Sequence, residues 1–250
     1  DSATRPQVAT IPCGCSMSWT LVGRADKTCE EYPMHSCRFR LTVLVIVCSS
    51  VVRADDRQAK ELLARAPHLA DLYNWADAAP AFTEAERLFV AAGDHRNSLY
   101  AKLGRIRSNI ERDQQALPTV SEQLAQALDE DPLLRTDKEL RMFCLIVKGD
   151  IDTEINTGAM RQDWEQVQAL ARELGNQKWQ YRALAQLGVA AFYNTDLETA
   201  RKNVGTALAM AEKAGDTGAQ IRFLTMFANG LLKSRMYEQA HEYCEKAISI

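Results

Sequence analysis

Residues 184–207 read LAQLGVAAFYNTDLETARKNVGTA, and residues 224–247 read LTMFANGLLKSRMYEQAHEYCEKA. The second stretch echoes the first at an offset of forty residues, as from Ala200 to Ala240. Leu184, Leu187, Gly188, Leu197, Ala200, Val204 and Ala207 meet Leu224, Phe227, Ala228, Tyr237, Ala240, Cys244 and Ala247. Each pair keeps its size class. Self-similarity at a fixed period of this length predicts a stacked repeat array, in which each unit buries its apolar face against its neighbours.

One unit predicts two helices. Leu184, Leu187, Gly188 and Ala191 share the face of a first helix, and Leu197, Ala200, Val204 and Ala207 that of a second. Asn194–Asp196 makes the turn between them, with Asp196 placed to cap the second helix. Gly188 and Ala200 are the small residues that let the two backbones approach. Gly93-Asp94, Gly175-Asn176 and Gly215-Asp216 each read as a helix stop followed by a polar start. Gly175 and Gly215 again lie forty apart, and Gly93 precedes Gly175 by eighty-two.

Fainter copies of the unit fill the chain from Asp56 onward, where apolar residues recur at three- and four-residue spacings. The first carries Leu69, Leu72, Tyr73 and Ala76 on one helix and Phe82, Ala85, Phe89 and Ala92 on the next. A second opens at Leu103-Gly104, with Ala116 and Val120 on its returning helix and Pro118 early in that helix. A third starts near Lys138, with Gly149 as its close-approach residue and Trp164, Val167, Ala171 and Leu174 on its second helix; its first helix or turn is longer by about six residues. Five hairpins exceed the three or so that a stack needs.

This pattern resembles the tetratricopeptide repeat (TPR), over roughly residues 60–250. It departs from the commonest form in its period, which is about 34 residues there, and in replacing the closing proline by Gly-Asp. The resemblance implies an all-α fold, a right-handed α-solenoid of antiparallel helix pairs. It also implies a concave groove lined by the first helix of each pair. The groove positions carried over are Asn74 and Asp77 in the first unit and Arg105, Ser108 and Asn109 in the second. In the fourth they are Arg182, Val189, Phe192 and Tyr193, and in the fifth Arg222, Thr225, Asn229 and Lys233. Asn, Arg and Lys at such places suit peptide backbone or carboxylate groups.

The first 54 residues follow different rules. Residues 1–33 carry Pro6, Pro12, Gly14, Gly23 and Pro33 without periodicity and read as a disordered leader or upstream in-frame sequence. Cys13, Cys15, Cys29 and Cys37 fail the spacing of a zinc site, because Cys-x-Cys is too tight. Residues 34–54 have the layout of a secretory signal peptide: Met34, then Arg38 and Arg40, an apolar stretch from Leu41 to Val52, and Val52-Arg53-Ala54 before Asp55. That layout predicts export, to the periplasm, of a helical domain spanning 55–250; without its use the protein would be cytoplasmic. The chain lacks an initiator methionine and stops at Ile250 inside a helical pattern without a polar capping helix, which reads as an array that continues.

Composition narrows the function classes. The chain is 46% hydrophobic and 25% charged with a net charge of −3, which argues against nucleic acid as the main partner. No eighteen-residue apolar run predicts a membrane span for the repeat domain. His35, His68, His95 and His241 stand apart from one another, no Gly-x-x-x-x-Gly-Lys loop is present, and Cys144 and Cys244 read as small core residues without a histidine partner. Asp150, Asp152 and Glu154 fall on different helix faces, which argues against calcium. No cofactor or metal is expected. The expected function is a non-enzymatic scaffold that binds a protein or peptide in its groove. A regulatory TPR region preceding a CHAT-type peptidase, diguanylate cyclase or histidine kinase domain is the alternative. A small-ligand sensor built on Trp164, Trp179 and Tyr193 is a third.

Overall fold

Most helices stop at one of two kinds of left-handed turn. In the computed structural model, which describes residues 55–250, Gly93, Gly175 and Gly215 adopt left-handed φ values of 71°, 66° and 68°. That region costs other residues about 1 kcal/mol or more. The next residue then caps the following helix: Asp94 accepts from the Asn97 N–H, Asn176 from Trp179 and Asp216 from Ala219. These side chains satisfy donors that a helix start leaves open. The readings of 1–33 and of the signal-like 34–54 lie outside the described residues, which all fall within the second of two units, Ile46–Ile250.

The described residues are all-α, with helices in adjacent packed pairs. Residues 55–71 form α1. The chain continues through α2 (Trp75–Ala92), α3 (His95–Ser108), α4 (Leu117–Glu130) and a short α5 (Pro132–Thr136). It then forms α6 (Lys138–Glu154), α7 (Met160–Glu173), α8 (Gln177–Tyr193), α9 (Leu197–Lys213), α10 (Thr217–Lys233) and α11 (Tyr237–Ile248). From α4 onward successive helices pack together, α3 packs on α2 and α6, and α8 also meets α10. In these two cases, α3 with α6 and α8 with α10, the first helices of successive pairs stand side by side. No described helix is long and apolar enough to cross a membrane.

The small residues do the work their spacing predicted. A Cβ built on Gly188 would lie 2.7 Å from Val204 and 3.1 Å from the Ala200 carbonyl oxygen. One on Gly104 would meet the Phe82 ring at 2.4 Å. Ala200, Ala207, Ala211 and Ala240 are fully buried, so aliphatic and aromatic neighbours close over them.

Two expectations need correction. The first unit turns earlier than its apolar spacing suggested: α1 stops at residue 71, and Ala76 belongs to α2. Leu72 is consequently 63% exposed instead of facing the core. In the third unit the first helix, α6, has the same 17 residues as α8 and α10, and its turn, 155–159, is only about two residues longer than 194–196, so the expected excess of about six is absent. Helix α5 precedes it, begun by Pro132 and capped by Asp131, whose carboxylate accepts from the Leu133 N–H.

The turns within hairpins place no glycine at their left-handed position. Tyr73, Asn156, Thr195 and Arg235 hold φ values of 56°, 53°, 62° and 60°. Thr195 is the most strained of them, because a β-branched side chain crowds this region. The exposed Thr195→Gly substitution is expected to raise stability by about 0.5–1 kcal/mol, read as a higher Tm in a thermal melt. An unchanged or lower Tm would show that the turn carries no such strain.

Candidate functional site

The end of α1 and the turn after it reach α8 and α10. Asp71 accepts from Arg182 Nη1 at 2.8 Å and from the Lys178 ammonium, both on α8. Burial pushes the Asp71 carboxyl up, but its bonds to Lys178 and Arg182 outweigh this and hold it below the usual carboxylate range. Tyr73 lies under Arg222 of α10, whose guanidinium carbon is 4.1 Å from the ring centre. Arg107 of α3 sits between two tryptophans, 5.6 Å from the Trp75 ring and 5.3 Å from that of Trp179. Arg107 is largely buried, its side chain 13% exposed, and bonds Asp150 at 2.6 Å. Burial disfavours its charge, and Asp150 more than restores it. Such stacked, paired cations hold geometry better than exposed ones.

These contacts enclose a cavity of about 730 Å³. Its walls come from the α1–α2 turn, the ends of α3 and α6, Trp164 of α7, and the inner faces of α8 and α10. Apolar surface is supplied by Trp75, Trp164, Trp179, Val189, Phe192 and Phe227. On α10, Arg222, Thr225, Asn229 and Lys233 form an exposed row at helical spacing along the cavity. On α8, Arg182 Nε and Gln186 Oε1, one turn apart, are buried without a hydrogen-bond partner among the described residues.

Of the groove positions carried over, Ser108, Arg182, Val189, Phe192, Tyr193, Arg222, Thr225, Asn229 and Lys233 line this cavity. Trp164, Trp179 and Tyr193, read together as a possible pocket, line it as well. Asn74, Asp77, Arg105 and Asn109 lie outside the lining. Asn74 caps α2 by accepting from the Asp77 N–H. Arg105 bonds Glu86 of α2 at 2.6 Å. Asn109 ends α3, and its Nδ2 donates to the Arg105 carbonyl oxygen. Arg107 and Trp75 are the important lining residues that spacing missed. Two residues along a helix rotate a side chain by about 200°, so Arg105 and Arg107 face opposite ways.

A second polar cluster lies outside the cavity lining. Lys148 Nζ donates to Asp152 at 2.6 Å and to Asp163 at 2.9 Å, while Ser121 Oγ donates to Asp152 at 2.6 Å. These four side chains tie α4, α6 and α7 together, and Asp152 and Asp163 are 1% and 5% exposed. Two carboxylates facing one ammonium share a proton. Burial, then Asp152, pushes the Asp163 carboxyl up to about 7. Burial also opposes charge on Asp152, but bonds from Asp163, Lys148 and Ser121 hold it below the usual range. None of the four lines the cavity.

Other candidate groups are quiet. Cys144 is fully buried, and burial pushes its thiol up to about 12. Cys244 is only half-buried. His68, His95 and His241 are exposed. Among the described residues no group of His, Cys, Asp and Glu is arranged to hold a metal ion. No protein-family model matches this chain, and no curated protein matches it significantly.

Proposed function

We propose that this protein is a TPR-type, right-handed α-solenoid that captures a peptide segment of a partner protein in the cavity between its α1–α2 turn and helices α8 and α10. The observation that carries the reading is the cavity itself. It pairs an aromatic floor with an exposed row of polar side chains on one helix, the combination that recognises a chain's side groups and backbone together. The forty-residue echo, the paired helices and the close approaches at Gly104 and Gly188 support the TPR assignment.

The test is selection of displayed random peptides on the immobilised full chain, followed by titration of recovered peptides. Because Trp75, Trp164 and Trp179 line the cavity, tryptophan fluorescence reports its occupation. Val189→Arg, which projects a long charged side chain into the cavity from a half-buried position, is expected to weaken binding at least about tenfold, or 1.4 kcal/mol. Equal binding by a folded Val189→Arg variant would overturn the groove reading.

One observation favours a second reading, a small-ligand sensor. The turn carrying Asp71 and Tyr73 closes over α8 and α10, and the cavity volume lies within the ~300–1,000 Å³ of small-molecule sites. A metabolite that raises Tm and quenches the tryptophans, with no peptide selected, would establish this reading over the first.

A further inference from the structure

The charges around the cavity are unevenly placed. The chain has a net charge of −3, yet α8 and α10 contain no Asp or Glu. Their basic residues divide into two groups. Lys178 and Arg182 are paired with Asp71. Arg222 and Lys233 are exposed, line the cavity, and meet no carboxylate among the described residues. The acids of the lining, Glu111, Asp150 and Glu154, come from the opposite elements, the end of α6 and the segment after α3, and Asp150 is held by Arg107.

Resting on the peptide reading above, we propose that the segment captured is acidic, with Asp or Glu side chains laid along α10 against Arg222 and Lys233. Thr225 and Asn229 stand between these two cations on the same exposed face. Arg222 to Lys233 spans three helical turns, about 16 Å. An extended peptide covers that distance in about five residues. Two acids roughly four to five residues apart would therefore each meet a cation. Charge-assisted bonds replace water best where the neighbouring surface is apolar, and Met226 and Phe227 provide it. Arg222 adds a constraint, because it is already stacked on Tyr73: the stack fixes the guanidinium before the ligand arrives, so less side-chain freedom is lost on binding.

The experiment compares peptides selected from one random library, of about 15 residues each, by the wild-type chain and by Arg222→Glu/Lys233→Glu. Asp and Glu are expected to be enriched about threefold in the wild-type pool and depleted in the reversed-charge pool. A selected acidic peptide, labelled with fluorescein, should bind the reversed-charge variant at least about thirtyfold more weakly. It should bind Lys233→Arg within about threefold of wild type. Circular dichroism establishes that each variant is folded. A wild-type pool without acidic enrichment, or acidic peptides whose affinity ignores the charge reversal, would overturn this inference and leave the peptide reading standing. Recovery of no cavity-binding peptide would overturn both.

Discussion

Lys148→Met is expected to destabilise the protein by about 3–5 kcal/mol at pH 7, the cost of leaving buried carboxylates without their cation. For a domain of this size that lowers Tm by on the order of 10 °C. The reasoning rests on burial: Asp152 and Asp163 are almost fully enclosed and share Lys148 at 2.6 and 2.9 Å. The sign of the pH dependence follows. In the wild type, Asp163 titrates near 7 when folded, above its ordinary 3.8, so its contribution to stability is greatest at low pH and is lost as pH rises through 7. Asp152 acts in the other sense, because its folded value is depressed. Without the ammonium, both carboxyls favour their protonated forms, and the folded state binds more protons than the unfolded one. The variant therefore gains stability as pH falls from 7 to 5, and its deficit against wild type shrinks. Chemical denaturation at the two pH values measures this. A deficit that is constant, or that grows on acidification, would show that the cluster does not share its charge as described.

Trp164→Ala is expected to cost about 3–5 kcal/mol as well, by removing a large side chain that is 1% exposed. The surroundings cannot collapse into the gap, because the facing residue is Gly149, and Thr153 loses the indole N–H that donates to it at 3.1 Å. The pair supplies its own control. A Cβ on Gly149 would lie 2.9 Å from the Trp164 ring. Gly149→Ala should therefore cost about 1–3 kcal/mol in the wild type, through overpacking. In the Trp164→Ala background it should instead add about 1 kcal/mol, from helix propensity and partial filling. Urea unfolding of the four proteins yields the coupling energy. Additive effects would mean that the ring and the glycine do not meet.

What the sequence disclosed, and what it hid, follows from the range of the interactions. Close approaches at Gly188 and Gly149 were legible because each is a small residue at a fixed step from a large or repeated one. The stops at Gly93, Gly175 and Gly215 were legible because φ is a local property and the capping Asp or Asn is the next residue. The Tyr73 turn was hidden, since an aromatic residue gives no sign of a left-handed φ and Leu72 seemed to prolong an apolar face. The cluster of Lys148, Asp152, Asp163 and Ser121 was hidden for another reason. Charged residues on a helix read as solvated, and only packing of α4 and α7 against α6 brings the four together. Of the groove positions carried over, those on α8 and α10, where the echo is clearest, fall on the cavity lining, whereas on α3 the arginine that lines it is Arg107, two residues beyond Arg105.

A linear array held only by neighbouring units unzips from its ends, each hairpin leaving almost independently. Asp71 changes that rule here, because it fastens the end of α1 to Lys178 and Arg182, more than a hundred residues further along the chain. The first hairpin cannot fray without exposing a carboxylate and two cations held by the fourth. Closing so long a loop costs entropy during folding, which makes this contact a late and slow one to form. Once made, it links the opening of α1 to that of α8, so the two ends of the cavity lining are held by one shared contact.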